Sequence, residues 1–308
     1  MKIFLLLAFI IITTTSRAQD ETVKNLQSES GKSVKKDPAD TSAETWIKGG
    51  LFNFGLGQGS LSNWAAGGDD FSLTINSLFN IYAFYKKQKH SWDNSLDINL
   101  GYIKSTSLGS RKNDDRFDLL SKYGYALTSK LNAALLFNMR SQFFKGFSYQ
   151  DDVKTLSSAF LSPGYFLLSP GLDYKPVTNL SIFLSPITYR LVTVIDDTLS
   201  ARGAYGVMPG KKTINEIGAF LMLNYFRDLS KSISYKGRLD LFSNYRQNPQ
   251  NIDVFMANVI AAKLGKIFAL TWSVDMIYDD DVKLFGPNKT SPALQLKSIV
   301  GIGINVKF

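Results

Sequence analysis

Counting back from Phe308, every second residue is apolar: Phe308, Val306, Ile304, Ile302 and Val300, with Lys307, Asn305, Gly303 and Gly301 between them. A period of two gives a strand one apolar face and one small or polar face. The same beat recurs upstream. Phe71, Leu73 and Ile75 oppose Ser72, Thr74 and Asn76. Trp92, Leu96, Ile98, Leu100 and Tyr102 oppose Asp93, Ser95, Asp97, Asn99 and Gly101. Phe268, Leu270, Trp272, Val274, Met276 and Tyr278 oppose Ala269, Thr271, Ser273 and Asp275. The pattern predicts strands over 46–57, 70–85, 90–104, 116–128, 131–145, 158–174, 178–190, 214–227, 232–245, 252–264, 267–280 and 293–308. Twelve is an even number, as single-chain barrels of the outer-membrane type have. The expected fold is all-β: a closed antiparallel transmembrane β-barrel. No apolar run reaches the 18 or so residues of a membrane helix.

The connections alternate in length. Short ones are expected at Lys86–Lys89, Ser129–Lys130, Lys175–Thr178, Asp228–Lys231 and Gly265–Lys266. Long ones are expected at 58–69, 105–115, 146–157, 191–213, 246–251 and 281–292. Outer-membrane barrels have short periplasmic turns and longer outer loops, so both termini are expected in the periplasm.

The first residues depart from the beat. Met1–Lys2 is basic, Ile3–Ile12 is an unbroken apolar run, and Ser16 and Ala18 are small residues ahead of Gln19. That is the form of a secretory signal peptide over 1–18. Its apolar run falls short of the about 20 residues that cross a bilayer. Residues 19–45 are polar, without apolar period, and are expected to be a short disordered periplasmic linker. Residues 46–308 form the barrel.

Composition narrows the chemistry. The 308-residue chain has no Cys and one His, which removes disulfides, zinc–thiolate sites and thiol catalysis. Its formal charge of +9 comes from Lys and Arg spread over turns and strand faces. No basic patch for nucleic acid results. His90 sits beside a short turn, at the wrong end for hydrolysis of an outer-leaflet lipid, and no Ser motif accompanies it. No catalytic residue, cofactor or metal is expected. Acidic pairs at Asp69–Asp70, Asp114–Asp115, Asp151–Asp152, Asp196–Asp197 and the run Asp279–Asp281 mark five of the long loops or their edges. Such carboxylates suit divalent cations, but they lack the spacing of a calcium loop, and Asp also ends strands.

Several stretches resemble a family of outer-membrane proteins of unknown function found in Bacteroidota. They are SLSNWAAGGDD (Ser60–Asp70), WDNSLDINLGY (Trp92–Tyr102), SKYGYALTSKLNAALLFNMRSQF (Ser121–Phe143), LSPGY (Leu161–Tyr165), LDYKP (Leu172–Pro176), SIFLSP (Ser181–Pro186), LFSNYRQNPQNIDV (Leu241–Val254) and IYDDD (Ile277–Asp281). The resemblance implies the membrane and the barrel. It brings no substrate and no catalytic residue.

Two sets of residues are candidates for function. Charges on the polar strand faces must point inward, because Arg or Lys on the lipid face at mid-membrane costs about 2–4 kcal/mol. They are Asp97, Lys122, Arg140, Glu216, Lys236, Arg238, Asp240 and Asp275, with Asp93, Asp118 and Lys297 beside them. They suit either a hydrated, charge-selective pore or a lumen plugged by ion pairs. The second set lies in outer loops: Trp64, Gly67 and Gly68, which suit a tight turn at the barrel mouth, and Asn248 and Asn251, which suit either recognition or a hairpin tip. The expected function is passage of small polar solutes through a narrow channel. The alternative is a non-conducting structural or accessory barrel that docks lipoproteins or secretion machinery. Expected partners are outer-membrane lipid, the barrel assembly machinery, and a small polar solute or a lipoprotein. Of the inner-face residues, Gly101, Gly124, Ala126, Ala134, Gly218 and Gly301 leave room, while Phe220 and the long charged groups take it back.

Overall fold

The computed structural model describes residues 45–61, 70–107, 109–150, 153–265, 268–283 and 291–307. The signal-peptide segment 1–18, nearly all of the linker, Trp64, Gly67, Gly68 and Phe308 lie outside them. The strands are β1 (Trp46–Ser60), β2 (Phe71–Lys87), β3 (His90–Ser105), β4 (Gly109–Ala126), β5 (Leu131–Ser141), β6 (Gly146–Gln150), β7 (Val153–Ser158), β8 (Gly164–Val177) and β9 (Leu180–Thr193). A short helix, α1 (Asp197–Ala201), follows. Then come β10 (Thr213–Asp228), β11 (Ile233–Asn244), β12 (Ile252–Lys263), β13 (Phe268–Tyr278) and β14 (Gln295–Lys307).

Twelve of these strands form one closed antiparallel ring in the order β1-β14-β13-β12-β11-β10-β9-β8-β5-β4-β3-β2. β1 closes on β14 through Leu51–Phe54 against Ile304–Lys307. Closure leaves no edge, which hydrocarbon demands because it offers no partner to a bare backbone amide or carbonyl. β6 and β7 stand apart as a hairpin of their own.

The burial pattern is that of a membrane barrel. Leu56, Ile81, Leu135, Leu168, Leu172, Leu184, Trp272, Val300 and Ile302 are exposed on the outside, while Asp118, Lys122, Asp173, Arg190, Glu216, Asp240 and Asp275 are buried inside. Water would penalise that outer face and lipid favours it. Aromatic residues ring the short-turn end. Trp46 lies 5.1 Å from Tyr85 and 6.0 Å from Trp92, and His90 Nδ1 is 2.5 Å from the Tyr123 hydroxyl. Such amphipathic rings suit the headgroup level. His90 is therefore part of this belt.

The structure corrects two of the expected loops. Residues 105–115 are mostly strand: β3 and β4 continue as a hairpin to Ser105↔Gly109, with Asn113 bulged opposite Gly101/Tyr102. At 16 and 18 residues these strands exceed the roughly 9–11 that cross a bilayer, so their tips project beyond it. There both faces are wet, and the charged run Ser110–Asp115 loses the alternation by which a strand is recognised. Likewise 146–157 holds the β6–β7 hairpin, where Arg111 stacks on Tyr149 at 3.8 Å and Lys154 on Phe147 at 4.0 Å. Strand ends move too: β1 runs on to Ser60, β5 stops at Ser141, β8 starts at Gly164 and β9 reaches Thr193.

Candidate functional site: a braced lumen and its outer cavity

Inward-facing positions fill the barrel in two ways. On the side formed by β5, β8, β9, β10 and β11, Leu136, Leu167, Phe183, Phe220, Met222 and Phe242 pack into one buried apolar cluster. Leu136, Phe183 and Met222 are wholly buried. The remainder is occupied by charge, and the charges meet across the lumen.

The central brace joins β4 and β5 to β11, on the far side of the ring. Arg140 donates from Nη2 to Asp240 at 3.0 Å and lies 3.6 Å from Asp118. Arg238 reaches Asp118 at 3.2 Å and Asp240 at 2.7 Å. Each guanidinium thus serves both carboxylates. Asn138 donates to Asp118 at 2.6 Å. The two guanidiniums also share one ring: Arg140 sits 3.9 Å and Arg238 5.7 Å from the centre of Phe255. Charges removed from water need this full pairing, since a lone one is costly.

Further braces stand on either side. Lys122 donates to Asp173 at 2.8 Å, and Lys175 lies 3.3 Å from Asp173 and 3.8 Å from Asp93. Arg116 crosses to Asp275 at 3.0 Å, and Lys297 meets Asp275 at 2.7 Å and Asp114 at 2.9 Å. Arg190 pairs with Glu216 and reaches Asp253 at 2.6 Å. Asn244 donates to Glu216 at 3.0 Å.

Of the candidate charges, Lys122, Arg140, Glu216, Arg238, Asp240 and Asp275 all belong to these braces. Asp97 accepts a hydrogen bond from Asn80 at 2.7 Å. Lys236 lies on the inner face of β11, nearer the short-turn end, with no ion pair among the described residues. Arg116, Asp173, Lys175, Arg190 and Asp253 are equally part of the lumen and were not legible as such. Lys175 reads from the sequence as a turn residue, and β8 runs on to Val177 to bring it inside. Asp253 falls at the start of an expected strand, and its pairing with Arg190 places it in the lumen. Asn248 has φ 46° and its carbonyl accepts from the amide of Asn251 at 2.8 Å, so it builds a turn. Asn251 also donates to Asp280 at 2.8 Å, tying two outer loops together.

The segment between β9 and β10 folds over the barrel mouth. Asp196 caps α1 by accepting from the amides of Thr198 and Leu199. Val194, Leu199, Ala204 and Val207 form a buried cluster with Ala159. The segment crosses to the far rim, where Gly206, at φ 80°, has Asp281 Cβ 3.2 Å from the place its own Cβ would take. Tyr205 donates to the carbonyl of Ser157 at 2.6 Å, and burial pushes its hydroxyl up to about 12.

Beneath this cover lies a cavity of about 340 Å³, lined by Tyr165, Leu167, Phe220, Phe242, Phe255 and Tyr205, by Arg140 and Arg190, and by Asp240, Asp253 and Asp279. Its floor is the central brace.

Residues 56–147 match the family described as "Protein of unknown function (DUF3078)". No curated protein matches the chain. Among solved structures, an outer membrane channel from Pseudomonas putida F1 is 12% identical, with 89% of this chain and 100% of that one covered at a TM-score of 0.39. The TodX monoaromatic hydrocarbon channel (deltaS2 mutant) is 12% identical, with 85% and 83% covered and a TM-score of 0.33. The beta domain of the Bordetella autotransporter BrkA is 12% identical, with 86% and 98% covered and a TM-score of 0.30. Likeness at this level carries nothing about cargo or partner.

Proposed function

We propose that the chain is an outer-membrane barrel closed at rest, with a structural or accessory role in preference to that of an open channel. The central brace supports this most directly. A charge that selects ions works because it is hydrated and free to meet them. Here Arg140 and Arg238 are each held by Asp118 and Asp240, and the apolar cluster fills the other side. A solute passing this level would have to break several buried ion pairs at once. Purified protein in planar bilayers is expected to give no discrete current steps at moderate voltage. Reproducible steps from the wild-type protein would restore the narrow channel for small polar solutes. A closed barrel presents its loops and rim to partners, which fits docking of a lipoprotein or of secretion machinery.

The same proposal sets the orientation: long connections outside, short turns and termini in the periplasm. The native chain has no Cys, so single Cys probes are unambiguous. Met208→Cys, at a site 74% exposed on the mouth segment, should react with an impermeant thiol reagent on intact cells. Cys at Lys130 or Ser230 should react only after the outer membrane is opened. Reversed labelling would invert the orientation.

A further inference from the structure

The outer cavity contains one charge too many. Arg140 and Arg190 both line it, and both are paired with carboxylates: Arg140 with Asp118 and Asp240, Arg190 with Glu216 and Asp253. Asp279 lines the same cavity and is nine-tenths buried. Its carboxylate accepts one hydrogen bond, from the amide of Asp281 at 2.9 Å. No Lys or Arg among the described residues lies within ion-pair distance of it. A buried carboxylate without a counter-charge has two remedies: it takes a proton, or it takes a cation.

The walls decide which cation. Phe220, Phe242, Phe255 and Tyr165 give the cavity an aromatic lining, and about 340 Å³ falls within the range of small-molecule sites. Aromatic faces attract ammonium groups and accept an apolar body. Hard divalent ions instead need several converging oxygens, and no group of three or more ligating side chains occurs among the described residues. An anion would find each guanidinium already ion-paired with two carboxylates, and a carboxylate surplus around them. We propose that this outer cavity binds a small organic cation, an amine or quaternary ammonium with an apolar body, its charge seated on Asp279 and its body against the aromatic wall. The site goes beyond the closed-barrel reading and holds whether or not the barrel conducts.

Protonation competes with the ligand. Asp279 is raised to about 7, by burial first and then by Asp253, with Arg190 acting in the opposite direction. The titratable groups that act on it or share its cavity are Asp253 on β12, Arg190 on β9, Tyr165 on β8, Tyr205 of the mouth segment and Asp281 of its own loop, with Glu216, Asp280 and Lys283 acting in turn on Asp281. The cation binds the ionised form. Affinity should therefore be level well above pH 7 and fall by about tenfold per pH unit below it.

The test uses the full-length protein in detergent micelles and three probes of one shape: benzylamine, benzyl alcohol and benzoate. Calorimetric titration at pH 8 should show benzylamine binding at least about tenfold more tightly than either of the others. At pH 6 benzylamine should bind about tenfold more weakly, with benzyl alcohol unchanged. Asp279→Asn should bring benzylamine down to the level of benzyl alcohol. If that variant fails to fold, the pH comparison on the wild type decides. Equal affinity for all three probes, preference for benzoate, absence of benzylamine binding, or benzylamine affinity independent of pH would each overturn the proposal.

Discussion

Arg238→Ala is expected to lower the stability of the barrel by about 3–5 kcal/mol, the usual cost of removing one member of a buried ion pair and stranding the rest. Arg238 faces the lumen with its side chain 11% exposed and is bonded to the buried carboxylates of both Asp118 and Asp240. Without it, two buried carboxylates are left with Arg140 alone. Arg140→Ala should act in the same way through the same two acceptors. The double variant should depart clearly from the sum of the two, because the sites share both partners and their effects cannot simply add. Arg238→Lys should fall between, since an ammonium keeps the charge and loses the planar fork. Urea unfolding in lipid vesicles, followed by tryptophan fluorescence, measures all four. Wild-type stability in Arg238→Ala, or strict additivity in the double variant, would show that the brace does not hold the barrel together.

Gly303→Val is expected to prevent closure, whereas Gly301→Val on the same inner face is expected to be tolerated. A Cβ on Gly303 would stand 2.5 Å from the carbonyl oxygen of Phe54 and 2.9 Å from its carbon. Those atoms are backbone of β1 and cannot rotate away. Among the described residues the β1–β14 seam has four paired positions, so it has little ladder to spare for a local shift. A Cβ on Gly301 meets only Thr271 Oγ1, at 3.7 Å. Overpacking of a fixed contact costs about 1–3 kcal/mol or more, and here it falls on the step that completes the fold. Gel electrophoresis of unheated samples separates compact barrel from open chain. Gly303→Val should run mostly as the open form and Gly301→Val mostly as the compact form. Equal behaviour of the two would mean that the seam is looser than its geometry indicates.

These two glycines mark the limit of what a sequence can say. Both stand between apolar residues at the end of the chain, with the same neighbours in kind, and both read as small inward positions. Only the register of β14 against β1 separates them. What the sequence determined was local. The apolar-polar alternation of Phe71–Asn76, Trp92–Tyr102 and Phe268–Tyr278 is set by the pleat, which sends successive side chains to opposite faces. Twelve barrel strands and their facing follow from it. The alternation fails where both faces meet water, and there it misses the β3–β4 extension over 105–115 and the β6–β7 hairpin.

The tertiary structure decided the rest. A strand pattern shows that Asp118, Arg140, Arg238 and Asp240 face inward. It does not show that they meet, because β4 and β11 touch only after the ring has closed and curved. A hydrated pore and a plugged lumen carry the same residues on the same face. Likewise Arg190 and Asp253 already lie in expected strands, and only the closed ring shows that they meet each other and Glu216 across β9, β10 and β12. Asp279 falls by sequence at a strand edge beside the last long loop, and becomes a buried carboxylate without a counter-charge among the described residues only because the β9–β10 segment crosses the mouth. Pairings between side chains far apart along the chain depend on closure, register and loop path, and none of these is written in the period of any one strand.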